Sequence, residues 1–430
     1  MPKLEWLKRP GTALIAMAVG IALGIYNREA GLFLAPVGEL YLSFLKMLVV
    51  PIMVTAVISS LGKLMASREA GRYLKRTVLT FATGLMLVSL IGMAAGLLGR
   101  PGADLDRQAR EVLGTAIMGG EAMVSSETAA QGAFTVMDFL GMLIPTNLFQ
   151  SLVGEQNLQV LFVAMVFGVA VGTVREKKRD DVLDVIEVIY KAFERIVGWT
   201  IYGLPAGLLC LMAGQFAAMG MDLLAAMTKF IVLAYAVCLF LMLLSALLIW
   251  KITGRSVLRS TADLKQPLLI AFGTRNSLAT LPFIFQALRD SYRLQEQTIN
   301  FVTPLSVILC RYSMVTMFSI GAIFVSQLYG VPLGAGQIAT ILFGSVLAAL
   351  SGAGAPAIVS LSMITMILAP LGLPAETAVV LLLAVTPVVD PILTMLNVHM
   401  ACSSSILVDG AAGSAVKATR PARVGKEIQA

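Results

Sequence analysis

The sequence predicts an all-α integral membrane protein with eight transmembrane helices and two re-entrant helical hairpins. Of its 430 residues, 58% are hydrophobic and 13% are charged, whereas soluble domains contain about 25% charged residues. The chain is long enough for about eight to ten membrane-spanning helices of about 20 residues each, and eight uninterrupted apolar segments occur. Two further apolar stretches are interrupted by small and polar residues. These observations exclude an ordinary soluble globular protein.

The eight apolar segments are each predicted to form one membrane span. In chain order they cover residues 12–26, 40–61, 78–98, 140–174, 196–219, 227–250, 301–328 and 377–408. The first follows Lys3, Lys8 and Arg9, a basic start that also resembles the beginning of a secretory signal peptide. No small-residue cleavage site follows Tyr26, so we interpret this segment as a retained span.

The two interrupted stretches, residues 268–288 and 337–373, contain TRNSLATLP and SGAGAPA. Non-helical backbone at membrane depth is tolerated only where protein buries it or where it lines a cavity. We therefore predict re-entrant hairpins with tips at residues 276–280 and 351–357. The alternative is a pair of ordinary spans that are kinked at glycine and serine.

Basic residues predict that both termini lie in the cytoplasm, because Lys and Arg are retained on the inner side of a membrane. The loops after spans two, four and six and the C-terminal tail are basic, whereas residues 220–223 and 329–336 contain neither Lys nor Arg. The loop after span three is an exception of mixed charge. The first hairpin then enters from the cytoplasm and the second from outside. Opposed broken segments of this kind are typical of the midplane site of a secondary transporter in an inner or plasma membrane.

Several other functions are disfavoured by the sequence. The four cysteines lie far apart in apolar segments without metal-ligand spacing, so we predict no metal site. The net charge of +7 is explained by cytoplasmic loops, and no basic face with interleaved aromatic residues indicates a nucleic-acid partner. No catalytic triad, HExxH or phosphate-binding loop occurs, so we predict that the protein is not an enzyme.

Five short motifs occur in order along the chain. They are FLKMLVVP at 44–51, PTN at 145–147 followed by Asn157-Leu158, RNSLATLP at 275–282, Gly354-Ala355-Pro356, and DPILTMLN at 390–397. This series resembles that of the dicarboxylate/amino acid:cation symporter family, the glutamate-transporter homologues. The third motif is similar to the family's first-hairpin RSSSGTLP and the fifth to its D-x-x-R-T-M-x-N. The resemblance covers about residues 40–408.

The resemblance implies inverted repeats, a homotrimer in membrane lipid, and an elevator mechanism in which one domain slides across the membrane with a small solute. It implies scaffold helices in residues 1–77 and 131–220. It assigns span three with the outer loop, 78–130, and spans six to eight with both hairpins, 221–410, to the transport domain. Residues 411–430 form a cytoplasmic tail. The resemblance also implies that the hairpin tips act as gates, with Gly352, Gly354 and Pro356 as the candidate gate residues.

The sodium-binding residues of the family are mostly absent. Where the family has N-M-D-G-T in span seven, this chain has Cys310, Arg311, Tyr312, Ser313 and Met314. Two further family aspartates align with Ala401 and Thr386. Hard cations such as sodium need several oxygen ligands, so the resemblance implies weakened or absent sodium coupling and no bound cofactor.

The substrate side departs from the family in one position. The family arginine that holds an acidic side chain aligns with Leu393, whereas Asp390 matches the aspartate that takes the substrate's amino group. Arg275 offers another cation at the first hairpin tip. The candidate substrate-binding residues are Arg275, Asn276, Ser277, Arg311, Ala355, Asp390, Thr394 and Asn397.

Arg311 and Asp390 are deep in their spans, where a charge costs about 2.5 to 3.5 kcal/mol on insertion scales. One interpretation is that Arg311 places a fixed positive charge where the family binds sodium. The other is a structural ion pair between Arg311 and Asp390. His399, the single histidine, suits proton coupling because imidazole titrates near neutral pH, but it also suits simple packing.

The sequence therefore favours a secondary transporter for a small amino acid or (di)carboxylate, coupled to protons or working by exchange. The alternative is a transporter-derived solute sensor or binding protein without coupled transport, although no extra signalling domain is present. An ion channel is a third possibility, which the predicted hairpin gates disfavour.

Overall fold

The computed structural model describes residues 10–65, 70–103, 111, 113–114, 144–154, 156–174, 178–217, 225–353 and 357–419. Every regular element in these ranges is helical. The helices are α1 (Pro10–Tyr26), α2 (Arg28–Met65), α3 (Ala70–Gly99), α4 (Leu148–Val153), α5 (Asn157–Thr173), α6 (Lys178–Thr200), α7 (Leu204–Ala217), α8 (Thr228–Thr253), α9 (Val257–Asp263), α10 (Lys265–Thr274), α11 (Leu281–Asp290), α12 (Thr303–Leu309), α13 (Tyr312–Leu328), α14 (Ala335–Ser351), α15 (Ala357–Ser362), α16 (Thr365–Leu368) and α17 (Ala375–Thr419). Short 3₁₀ turns follow α6 and α16, and a π-helical turn, Thr298–Val302, precedes α12.

Six helical segments of the described ranges are long and apolar enough to cross a membrane. They are Arg28–Met65, Tyr73–Gly99, Lys178–Ala217, Thr228–Thr253, Thr298–Leu328 and Val385–Gly410. Shorter apolar helices lie at Gly11–Tyr26, Asn157–Thr173, Ala335–Ser351 and Ser360–Leu371. The all-α, multi-pass class is thereby confirmed, while the count of eight spans stays a prediction.

In the part of the chain that the structure describes, both interrupted stretches form separate helices and not one continuous helix. Hairpin 1 consists of α10, the tip at residues 275–280 and α11, and α10 packs against α11. Hairpin 2 has α14 as its first arm and α15 with α16 as its second arm, and α14 packs against α16. Both stretches are therefore interrupted, and their assignment as re-entrant hairpins stays a prediction.

The prediction of one span over residues 140–174 was wrong. Asn147 caps α4, since its side-chain oxygen accepts from the Phe149 amide at 2.9 Å, as asparagine does at helix starts. This helix ends at Val153 with Gly154 as its C-cap, and α5 begins at Asn157. Residues 140–143 lie outside the described ranges.

The span predicted over residues 301–328 is not a continuous helix. It breaks at Cys310 and Arg311, whose φ and ψ angles are −86° and 67°, and −71° and 67°. The Arg311 amide donates to the Leu309 carbonyl at 3.0 Å, and the Tyr312 amide donates to the Cys310 carbonyl at 2.7 Å. These are two consecutive inverse γ-turns. The break leaves the Arg311 side chain at the start of α13.

The helices pack mainly in two sets. In one set, α2 packs against α5, α6 and α7, and α1 packs against α7. In the other, α17 packs against α8, α10 and α13, while α3 packs against α13 and α14. The division into a scaffold and a transport domain stays a prediction. Whether one set moves against the other stays a prediction.

A charged cluster joins the two sets at Arg289, near the end of hairpin 1. Its guanidinium donates to Glu296 at 2.6 Å and 2.9 Å, to the Tyr190 hydroxyl at 3.1 Å, and to Glu194. Tyr190 and Glu194 belong to α6. The cluster borders a cavity of about 570 Å³ that Lys63 also lines. These contacts connect the C-terminal end of hairpin 1 to α6, which belongs to the set of helices around α2.

Glycines allow α2 and α7 to approach closely. A Cβ atom at Gly38 would lie 2.6 Å from the Leu211 amide nitrogen and 2.9 Å from the Cys210 carbonyl carbon. These are backbone atoms, which cannot rotate away as a side-chain end can. Close approach through small residues is a common basis of helix packing in membranes.

We expect Gly38→Ala to lower the free energy of unfolding by about 1 to 3 kcal/mol, the usual cost of overpacking. The matched control is Gly11→Ala in α1, where a Cβ meets nothing within 4 Å and alanine favours the helix. Thermal unfolding of the purified protein in detergent measures both. An equal midpoint for Gly38→Ala and Gly11→Ala would show that α2 and α7 are not held this closely.

Candidate functional site

The candidate site lies where four elements meet. These are the tip of hairpin 1, the break in the span-seven helix pair α12–α13, the arms of hairpin 2, and the middle of α17. Side-chain contacts between these elements, described below, join all four. Because each element contributes non-helical backbone or a buried polar side chain, the meeting point concentrates hydrogen-bonding groups within an otherwise apolar set of helices.

The tip of hairpin 1 is shaped by its own polar residues. Arg275 ends α10 in the left-handed conformation with φ of 51°. The Asn276 side-chain oxygen accepts from the Ala279 amide at 3.0 Å, and the Thr280 hydroxyl donates to the Asn276 carbonyl at 2.9 Å. This is the turn chemistry that asparagine favours. The side-chain oxygen of Asn276 therefore already accepts a hydrogen bond within the tip.

Arg275 reaches from hairpin 1 to α17. Its Nη1 atom lies 3.5 Å from the Pro387 carbonyl oxygen. Pro391 has no N–H group, so the carbonyl four residues earlier has no helical donor. The guanidinium thus compensates for a helical hydrogen bond that the Pro387 and Pro391 pair cannot make.

Asn397 connects hairpin 1, α12 and α17. Its Nδ2 donates to the Ser277 hydroxyl at 3.1 Å and approaches the Val307 carbonyl at 3.5 Å. Its Oδ1 is buried and has no partner among the described residues. Thr394, one turn earlier on α17, is 5% exposed. Two of the predicted site residues, Ser277 and Asn397, are therefore in direct contact, and Asn397 retains an unused acceptor.

Arg311 connects the break in span seven to both arms of hairpin 2. Its Nη1 donates to the Gly352 carbonyl at 2.7 Å and to the Ser360 hydroxyl at 2.6 Å. Ser360 in turn donates to the Gly352 carbonyl at 3.2 Å. Ser360 is 1% exposed and was not among the predicted site residues. A lone serine in an apolar segment gives no signal in the sequence that distinguishes it from an ordinary packed residue.

Asp390 lies within electrostatic range of both Arg275 and Arg311. A direct ion pair between Arg311 and Asp390 was one interpretation of the sequence. No such pair occurs among the described residues, whose ion pairs lie elsewhere. The guanidinium of Arg311 instead donates to hairpin 2. Asp390 is therefore a carboxylate placed near two cations without a direct salt bridge to either.

Two of the residues aligned with the family's sodium ligands, Tyr312 and Ala401, are buried and lack a carboxylate or amide oxygen in the side chain. Tyr312 is fully buried, and its hydroxyl lies 2.9 Å from the Ser404 hydroxyl. A Cβ atom at Gly84 would lie 3.1 Å from the Tyr312 hydroxyl oxygen, so the phenol ring fills the space beside α3. Ala401 is also fully buried. The side chains of Tyr312 and Ala401 do not supply the several oxygen ligands that a hard cation needs.

His399 is fully buried in α17. Its Nδ1 lies 3.0 Å from the Ser245 hydroxyl of α8, and its Nε2 has no partner among the described residues. The packing interpretation accounts for the Nδ1 contact. Three other predicted residues, Gly354, Ala355 and Pro356, lie outside the described ranges, so their roles stay predictions.

Comparison with known proteins places the chain among membrane transporters. Residues 11–411 match the sodium:dicarboxylate symporter family. The proton/glutamate-aspartate symporter of Escherichia coli is 24% identical over 90% of this chain and 88% of its own length. The C4-dicarboxylate transport protein of Cupriavidus necator is 28% identical over 76% and 74%. The proton/sodium-glutamate symport protein of Bacillus caldotenax is 23% identical over 84% and 85%.

The helical architecture and these matches define a multi-pass membrane transporter, not an enzyme. The chain belongs to the sodium:dicarboxylate symporter family. The family predicted from the five motifs is thereby confirmed. Relatives that are named for different solutes and coupling ions are similarly distant from this chain, with identities of 23% to 28%.

Proposed function

We propose that the protein is a secondary transporter for a small amino acid or C4-dicarboxylate whose solute binding does not depend on sodium. The observation that carries this proposal is the Arg311 guanidinium, which donates to the Gly352 carbonyl and the Ser360 hydroxyl of hairpin 2. A guanidinium is permanently charged and cannot dissociate as a sodium ion can. It therefore offers a fixed cation in the segment that has lost the family's sodium-binding residues.

The site has groups of both signs for a solute. Arg275 and Arg311 supply positive charge for a carboxylate, and a guanidinium has five donors in a fixed fork. Asp390 supplies negative charge for an amine, and the unpartnered Oδ1 of Asn397 supplies a further acceptor. Because Leu393 replaces the family arginine, a second carboxylate has to be held by Arg275 or Arg311. This set suits an acidic or small neutral amino acid, and it suits a C4-dicarboxylate when Asp390 is protonated.

The names of the relatives support this range of solutes, since they include glutamate, aspartate and C4-dicarboxylates. We further propose that the protein is a homotrimer in membrane lipid and works by an elevator movement. The set of helices around α2 and α7 would form the scaffold, and the set around α13 and α17 would carry the solute. Protons are the proposed coupling ion for net transport.

Uptake into proteoliposomes tests this function. We expect labelled aspartate or succinate to accumulate when an inward proton gradient is imposed, with choline replacing sodium on both sides. Unlabelled solute trapped inside detects exchange. Binding of both solutes without any uptake would favour the sensor alternative, and accumulation only under a sodium gradient would contradict the proposal.

A further inference from the structure

We propose that Ser360 is a positioning residue that fixes the Arg311 guanidinium and so braces the two arms of hairpin 2 without a bound ion. This inference rests on the proposed function, in which Arg311 replaces an ion at this site. It adds a role for a serine that the five motifs do not include. It also assigns Arg311 a structural task on hairpin 2 that is separable from contact with a solute.

Three polar groups form a closed network between the arms. The Gly352 carbonyl accepts from Arg311 at 2.7 Å and from Ser360 at 3.2 Å, and the Ser360 hydroxyl accepts from Arg311 at 2.6 Å. Gly352 follows the last residue of α14, and Ser360 lies in α15. Carbonyl groups at a helix C-terminus have no helical donor. The network therefore satisfies the end of the first arm with donors from the second arm and from span seven.

Ser360 positions the Arg311 guanidinium in two ways: it accepts a hydrogen bond from the guanidinium, and it shares the Gly352 carbonyl as a common acceptor. Its hydroxyl accepts from Arg311 while donating to the same carbonyl that Arg311 contacts, so both groups share one acceptor. A charge-assisted hydrogen bond is about twice as strong as a neutral one. Removing the hydroxyl leaves Arg311 with one acceptor fewer and Gly352 with one donor fewer.

The closeness of the arms depends on Gly352. A Cβ atom there would lie 2.8 Å from the Ser360 hydroxyl oxygen and 3.3 Å from the Ser360 Cα. Alanine at this position therefore has to push the arms apart or displace the serine. By contrast, Ser351 donates to the Leu347 carbonyl at 2.8 Å within its own helix. Ser351 is thus a matched control, being a buried serine of the same hairpin whose hydroxyl bonds within its own arm.

Amide hydrogen exchange of the purified full-length protein, without solute and with choline in place of sodium, tests the brace. We expect Ser360→Ala and Gly352→Ala to speed exchange in residues 345–353 and 360–368 at least tenfold, while Ser351→Ala leaves it unchanged. Arg311→Met should have the same effect as Ser360→Ala. The double variant Arg311→Met with Ser360→Ala should show amide hydrogen exchange no faster than Arg311→Met alone, because both substitutions break the same network.

Unchanged exchange in Ser360→Ala and Gly352→Ala would overturn the inference. The inference would also be overturned if the increases in hydrogen-exchange rate from the two single substitutions multiplied in the double variant. Ser360 would then act independently of Arg311. No solute or sodium is present in this experiment, so its outcome does not depend on the uptake result. If uptake requires sodium but amide hydrogen exchange changes as expected, the role of Ser360 is supported and the proposed function is contradicted.

Discussion

Replacing Asp390 with asparagine is expected to lower the free energy of unfolding by about 0.5 to 3 kcal/mol, the usual range for a destabilising substitution. Asp390 is the carboxylate that interacts with Arg275 and Arg311. Its removal takes away the negative charge that interacts with both guanidinium groups. For a solute that carries an amine, we also expect at least a tenfold loss of affinity, because asparagine cannot pair with an ammonium group as a carboxylate does.

The measurement has two stages. Yield and thermal unfolding of Asp390→Asn are compared first with those of Asp290→Asn, the same change at an exposed aspartate at the end of α11. Titration with aspartate follows on the fraction that remains folded. Folded protein of unchanged stability and unchanged affinity would remove Asp390 from the site.

Replacing Arg311 with methionine, the family residue, is expected to cost about 1 to 3 kcal/mol of solute binding in sodium-free buffer, or about 5- to 150-fold in affinity. The change leaves the Gly352 carbonyl and the Ser360 hydroxyl without their charged donor and removes a cation beside Asp390. Arg311→Lys should give an intermediate loss, since an ammonium retains the charge but not the planar fork.

Arg259→Met is the matched control, because Arg259 is exposed in α9 and far from these contacts in the sequence. Titration of labelled aspartate and succinate into the three variants measures the losses. If Arg311→Met binds solute as tightly as the parent does, Arg311 has only a structural role in hairpin 2.

Much of the helical architecture could be predicted from local sequence signals. TRNSLATLP predicted the break in hairpin 1 because small and polar residues cannot continue an apolar helix at membrane depth. The span predicted over residues 140–174 failed although signals were present, since Asn147 is a good cap and Gly154 a good helix end. The prediction followed the continuous hydropathy of this segment and did not use the capping signals.

The break at Cys310 and Arg311 could not be predicted from local sequence, because no glycine or proline marks it. The left-handed conformation of Arg275 is equally unexpected, since non-glycine residues rarely adopt positive φ. Both depend on tertiary contacts: Arg311 is held by hairpin 2, and Arg275 approaches the Pro387 carbonyl.

The candidate site residues were predicted one by one from a resemblance to a family. The contacts between these residues could not be predicted in this way. Asn397 with Ser277 joins residues 120 positions apart in the chain. Arg311 with Ser360 joins residues 49 positions apart, and the serine matches no motif. Such pairings are set by how hairpins and spans pack, which one sequence does not encode in a local pattern. The roles of Asp390, Thr394 and Arg275 toward a solute stay predictions.

The central claim is that Arg311 makes solute binding independent of sodium, and equilibrium binding in two salts tests it most directly. Labelled aspartate and succinate are titrated into the purified wild-type protein in sodium chloride and in choline chloride at equal ionic strength. We expect dissociation constants that differ by less than tenfold for whichever solute binds. A gain of tenfold or more in sodium, equivalent to about 1.4 kcal/mol, would contradict the claim.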